Sequence, residues 1–351
     1  MARYSHCRLY FPEAVLKFIS ESRVALMRKL SFSLVAIAAI VLLPTFARSW
    51  GDQGHTAINR VAAEKIPADM PQFLKNATSR IAWEGPEPDR WRSVLEKTLN
   101  AAQAPEHFIN LEQVDWLKPL PPDRYRFIQA IYEYRAQHPN ADVPQPERIG
   151  FQPYVTIEVF DRLKVAFREF RRAQAGGRST ADAEANAIFY AGWLGHYVGD
   201  GANPMHTSIQ YNGWVGANPK GYTTAHDVHT KMESVFVGAN PEVTRFADSV
   251  GAPKHLDHPF EDYIVYLRES QSQIERAYEL EKARGFDGKG TRESREFIRQ
   301  QLGRGSQMLL NMWYTAWLDS AKEPEPWRGG KQEQRYWKAP KEDRSAQAFK
   351  E

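Results

Sequence analysis

Apolar residues recur at the helical period of 3.6 residues through most of the chain after residue 50, and strand-like alternation is scarce. The spacing predicts helices over 55–66, 125–136, 154–170, 183–198, 260–281 and 292–321. The β-prone stretch 154–157 merges into a helical pattern, and the connections are rich in Pro, Gly and Asn. A chain of this kind must bury its apolar stripes helix against helix. The predicted fold class is therefore all-α: a single mostly helical domain over 50–320 with no internal repeat.

The ends read differently. Met27, Arg28 and Lys29 give a positive start, 31–43 is an almost uninterrupted apolar run, and Pro44 breaks it. Ala47 and Ser49 place small residues where a signal peptidase needs them, so 1–49 is expected to be a leader and signal peptide removed between Ser49 and Trp50. That predicts a secreted or periplasmic protein. Residues 321–351 are polar and charged, with Pro324, Pro326, Gly329 and Gly330 as breakers, which predicts a disordered tail. The leader takes seven basic and two acidic residues with it, leaving a near-neutral chain without a general electrostatic grip on polyanions. Cys7, the sole cysteine, goes too, so thiolate zinc sites and cysteine nucleophiles are excluded from the mature protein.

The chemistry concentrates between His196 and Glu233. His196 and Asp200 stand four apart near the end of a predicted helix, His206 follows after Gly201 and Pro204, and His229 and Glu233 repeat the four-residue spacing. Such spacing puts both side chains of a pair on one helix face. One pair alone would suit a surface ion pair. Two pairs bracketing a lone histidine on a predicted bundle point instead to a metal site, and imidazole with carboxylate suits catalytic zinc. Upstream, His55 follows Trp50 by five residues, Asp89 lies in a Glu-Pro-Asp-Arg-Trp-Arg turn, and His107 precedes Phe108 and Asn110. Each of these alone would suit a cap, turn or core residue.

In order and character these residues resemble the superfamily that joins zinc-dependent phospholipases C to single-strand-specific, fungal-type nucleases. The resemblance implies an all-helical fold with a buried trinuclear zinc site, in which the mature N-terminal tryptophan binds zinc through its amino group and carbonyl. Cleavage just before Trp50 is what that chemistry requires. Carried over by position, Trp50 and His55 would hold one of three Zn2+ ions, Asp89, His107 and His196 a second, with Asp200 bridging them, and His206, His229 and Glu233 the third. The implied activity is hydrolysis of phosphate esters by a metal-activated hydroxide. Asp89 is the expected orienting group or base, and Arg92 the expected phosphate contact.

The substrate is read first as single-stranded nucleic acid or nucleotides, making the protein an endonuclease/3'-nucleotidase, because the Trp50–His55 and His206–His229 intervals resemble the nucleases. Phe108 could then stack on a base, while Asn110 stands where nucleases tend to carry aspartate. The alternative is a phospholipase C acting on phospholipid head groups, which Glu233 and the lack of cysteine resemble more closely. Tyr211, Trp214 and Tyr222 could form a base platform, a choline cage, or simply pack their loop down. A non-catalytic exported zinc-binding protein is the reading from another class.

Overall fold

The computed structural model describes residues 50–322, all within one compact unit. The leader, its junction at Ser49 and the tail beyond Lys322 lie outside the described residues. The described residues form an all-α fold with no strand among them; a single isolated bridge joins Tyr211 and Gly213. The main helices are α1 (Gly51–Glu64), α2 (Thr78–Glu84), α3 (Arg124–Gln137), α4 (Gln152–Ala175), α5 (Ala181–Ala202), α6 (Pro259–Gln271), α7 (Ile274–Lys282) and α8 (Arg292–Asp319). No helix among the described residues is long and apolar enough to cross a membrane.

The fold is arranged around α5, which packs against α4, α8, α2 and α1. Its sequence explains the central position. Residues 194–202 are buried on every side, and small residues let neighbours approach closely. A Cβ on Gly195 would lie 1.8 Å from Asn59 Oδ1, and one on Gly199 would lie 2.9 Å from His55 Nδ1. Asn59 uses that proximity: its amide donates to Ile81 O and Gly192 O at 2.9 Å each, tying α1 to α2 and α5.

Burying the C-terminal end of α5 leaves its last carbonyls in need of donors. Side chains supply them. Trp50 Nε1 donates to Gly199 O at 2.7 Å, Tyr266 OH to Val198 O at 2.8 Å, and Tyr263 OH to Tyr197 O at 3.1 Å. Gln152 Nε2 adds a second donor to Tyr197 O at 2.5 Å. Asp200 is thereby held rigidly in the middle of the protein.

One local reading changes. The single helix expected over 260–281 is two helices broken at Ser272, whose hydroxyl donates to Glu269 O at 2.6 Å in place of continued helix. The stretch 154–157 is wholly helical, at the start of α4. At the start of α8, Thr291 and Ser294 form a reciprocal capping box, with Ser294 N donating to Thr291 Oγ1 at 3.1 Å and Thr291 N to Ser294 Oγ at 3.0 Å.

The tight α1–α5 contact yields a test. Gly195→Ala should destabilise the protein by roughly 1–3 kcal/mol through overpacking against Asn59. Gly238→Ala, with nothing near the new Cβ, should be neutral or slightly stabilising. Urea unfolding of both variants checks this, and equal midpoints would contradict the packing argument.

Candidate metal centre

Helix α5 contributes His196 and Asp200, whose Nε2 and Oδ2 are 3.4 Å apart, and α1 brings His55 Nε2 to 3.3 Å from Asp200 Oδ1. His107 arrives from the end of a 3₁₀ turn, Ala104–His107, with Nδ1 3.1 Å from Asp200 Oδ2 and 3.0 Å from His196 Nε2. Asp89, in the short helix Glu87–Arg90, places Oδ1 3.7 Å from His107 Nδ1 and 3.9 Å from His196 Nε2. His206 closes the turn Pro204–His206. Its Nε2 lies 3.1 Å from His229 Nε2, which is itself 2.9 Å from Glu233 Oε2. Three groups result whose ligating atoms lie within 4.8 Å of one another: His55, His196 and Asp200; Asp89, His107 and His196; and His206, His229 and Glu233. All eight side chains are buried.

The backbone aims the rings. His196 Nδ1 sits 2.8 Å from Gly85 O and His206 Nδ1 2.6 Å from His107 O. Each Nδ1–H is taken up by a carbonyl, so Nε2 is left to face the cluster, the arrangement that orients metal-ligating histidines. The expected helical pair His229 and Glu233 is built differently from a regular α-helix: one turn, Val228–Thr230, passes into a π-turn at Lys231–Val235. Such turns recur at functional sites.

Trp50 is fully buried and left-handed, at φ 43°, an uncommon conformation for a large side chain. Its backbone nitrogen donates to Glu233 Oε2 at 3.0 Å, and Asn203 Nδ2 donates to the same oxygen at 3.0 Å. The atom that cleavage would turn into an α-amine thus already lies among the acidic and imidazole groups. Asn203, which sequence reading passed over, stands between Asp200 and His206 in the chain and braces Glu233.

Charge balance in this dry pocket is set by burial against mutual pairing. Burial pushes Asp89 up to about 7 and His55 down to about 4, and it holds His107 well below the usual imidazole range. For Asp200, burial is outweighed by His196 and His206, which hold the carboxyl well below its usual value. His206 is the converse: burial disfavours its charge, but Asp200 and Glu233 raise it to about 9. Several buried atoms able to ligate a metal have no hydrogen-bond partner, among them Asp89 Oδ2, His55 Nδ1 and Glu233 Oε1. Unpartnered acceptors and imidazole nitrogens facing one another at about 3 Å are what cations would satisfy. The donor set, nitrogen and carboxylate without sulfur, fits zinc.

Beside the cluster opens a cavity of about 540 Å³ whose walls include Arg92, Phe108, Asn110, Glu147, Arg148 and Tyr211. His107, His206 and His229 form its inner end. Arg92 Nη1 lies 3.7 Å from Asp89 Oδ1, and its Nε has no partner. Phe108 is half-buried, whereas Asn110 is buried with its amide donating to Arg148 O at 3.0 Å. The aromatic residues of the 207–228 loop divide. Trp214 and Tyr222 pack together at 4.7 Å and against Tyr278, holding the loop down, while exposed Tyr211 reaches the cavity. Glu147 and Arg148 carried no motif and came to the wall only through the fold. His226, exposed, contacts Asn212 O at 2.8 Å and serves the loop.

No protein-family model matches the chain, and no curated protein does. Solved structures that align with it include two clostridial toxins. The alpha toxin of Clostridium absonum shares 11% identity at a TM-score of 0.36, covering 79% of this chain and 65% of the toxin. The Clostridium perfringens alpha-toxin from avian strain SWCP shares 10% identity at 0.36, covering 79% of this chain and 66% of the toxin. The chain thus spans just under two thirds of each toxin's length.

Zinc must displace the proton that His206 holds up to about pH 9. Zinc uptake by metal-free protein at pH 7 should therefore release protons, and affinity should fall as pH drops, by about tenfold per unit for each proton displaced. Titration calorimetry in buffers of different ionisation enthalpy checks this. Heats independent of the buffer would contradict it.

Proposed function

We propose that this chain is an exported zinc-dependent phosphodiesterase whose substrate is a phospholipid. The observation that carries the reading is three buried groups of histidine and carboxylate, two of them sharing His196, bordered by a cavity with Arg92 in its wall. Zinc, when bound, supplies Lewis acidity and lowers the pKa of water enough for attack near neutral pH. The ligands would be Trp50, His55, Asp89, His107, His196, Asp200, His206, His229 and Glu233, and three ions per chain is the number the resemblance implies.

The chain's own groups do the rest. Asp89 has one oxygen facing His107 and Arg92 and the other without a hydrogen-bond partner, so it can hold and orient the attacking water. Arg92 offers its guanidinium to a non-bridging phosphate oxygen and stabilises the charge that grows there. Asp200, clamped by the α5 packing, keeps the histidines at fixed separation and avoids reorganisation during the reaction.

Phospholipid is preferred to nucleic acid for two reasons on the cavity wall. Phe108 and Tyr211 are joined there by the Glu147 carboxylate, a combination that suits a quaternary ammonium head group. The Asn110 amide is already spent on Arg148 O, leaving it less to offer a base edge. Glu233, the feature of the third group that resembles phospholipases, points the same way. The nuclease reading keeps one specific support: Phe108, on the wall beside His107, is placed where a base could stack.

Zinc-loaded protein beginning at Trp50 should release phosphocholine from phosphatidylcholine, lose that activity to a chelator, and leave single-stranded DNA intact. Release of nucleotides without phosphocholine would return the chain to the nuclease reading. Arg92→Ala should lower turnover roughly a hundredfold with zinc content unchanged. An unchanged rate would remove Arg92 from the chemistry.

A further inference from the structure

One stretch of chain makes the cavity wall twice. Arg92 lines it before residues 93–103, and Ala104, Pro105 and His107 line it after them. The intervening segment therefore stands at the rim of the mouth. It is built unlike the rest of the fold. Residues 94–99 are all exposed, and the short helix Lys97–Gln103 buries none of its residues. Three of the exposed positions are aliphatic: Val94 at 51%, Leu95 at 83% and Leu99 at 40%. A lone exposed leucine is ordinary, but three exposed aliphatic residues within six positions, two in the bends before the short helix and one on it, form a patch.

A cation accompanies the patch. Arg90 is paired with Glu87 and Arg92 lies 3.7 Å from Asp89, which leaves Lys97, next to Glu96 in the chain, as the cation of the segment itself. Lys97 is exposed and makes no ion pair among the described residues. Exposed aliphatic tips beside an unpaired lysine are ingredients of attachment to a phospholipid surface.

We propose that 93–103 is an interfacial anchor. Val94, Leu95 and Leu99 enter the boundary between head groups and acyl chains, while Lys97 meets lipid phosphates. Docked this way, the rim faces the bilayer and a head group reaches the cavity without the lipid leaving the membrane. A second copy of this chain could cover the same aliphatic residues, but it would leave Lys97 without a partner and crowd the mouth. The proposal rests on the phospholipid reading of the site.

The test is co-sedimentation of zinc-loaded protein beginning at Trp50 with phosphatidylcholine vesicles containing phosphatidylglycerol. It is paired with turnover of a soluble chromogenic phosphocholine ester by the same proteins. The double variant Val94→Asp, Leu95→Asp should lose vesicle binding by about tenfold or more, with soluble turnover unchanged. Val265→Asp, an equally exposed position on α6, should change neither. Leu95→Trp, which keeps the apolar surface, should bind at least as tightly as the parent, and covers the case in which the double variant fails to fold. Parent protein that does not pellet with vesicles overturns the anchor, as does a double variant that pellets equally. So does a parent dimer that the double variant abolishes. Because sedimentation does not depend on turnover, Leu95-dependent binding by a protein inactive on every phosphocholine ester would keep the anchor and discard the function proposed above.

Discussion

Asp200 is wholly out of water, and its carboxylate is shared among four imidazoles: His107 at 3.1 Å, His55 at 3.3 Å, His196 at 3.4 Å and His206 at 3.9 Å. A charged carboxylate in a dry interior is costly unless it is paired. Here its partners are themselves buried and opposed by burial, so each group is tolerable only because the others are present. His206 can be cationic because Asp200 and Glu233 face it, and Asp200 stays ionised because His196 and His206 face it. Removing one member would leave the rest uncompensated.

The fold is arranged to hold that group still. The end of α5 is surrounded on all sides, and its carbonyls are met by Trp50, Gln152, Tyr263 and Tyr266, drawn from widely separated parts of the chain. Gly195 and Gly199 let α1 come close enough to deliver His55 beside Asp200. The same packing that shields the cluster from water strengthens the electrostatics any bound cation would experience. What opens to solvent is the cavity side, where Arg92 and Phe108 stand.

The helical period made the all-α fold legible, because each long helix carries an apolar stripe that must be buried. The His196–Asp200 and His229–Glu233 pairs were legible because four-residue spacing is a local rule. The break at Ser272 was hidden since it turns on one hydroxyl competing for Glu269 O, while the apolar pattern runs on. The π-turn at Lys231–Val235 left no trace in the spacing. Cavity residues Glu147, Arg148 and Asn212 were invisible for another reason: they reach the site from segments without any motif. The carbonyls of Gly85 and His107, which orient His196 and His206, belong to the backbone and have no side-chain signature at all. Tyr222 and Trp214 pack their loop down, one of the roles expected of them, and of the three residues Tyr211 reaches the cavity.

The central claim is that these buried groups are one zinc centre completed by the N-terminus of the mature chain. The most direct measurement is anomalous diffraction at the zinc edge from crystals of protein beginning at Trp50. The account predicts three peaks, each within about 2.0–2.3 Å of donor atoms from the named histidines and carboxylates, with one of them also in reach of the Trp50 amine. A cluster without any zinc peak, or zinc bound only at surface histidines such as His138 or His255, would contradict it.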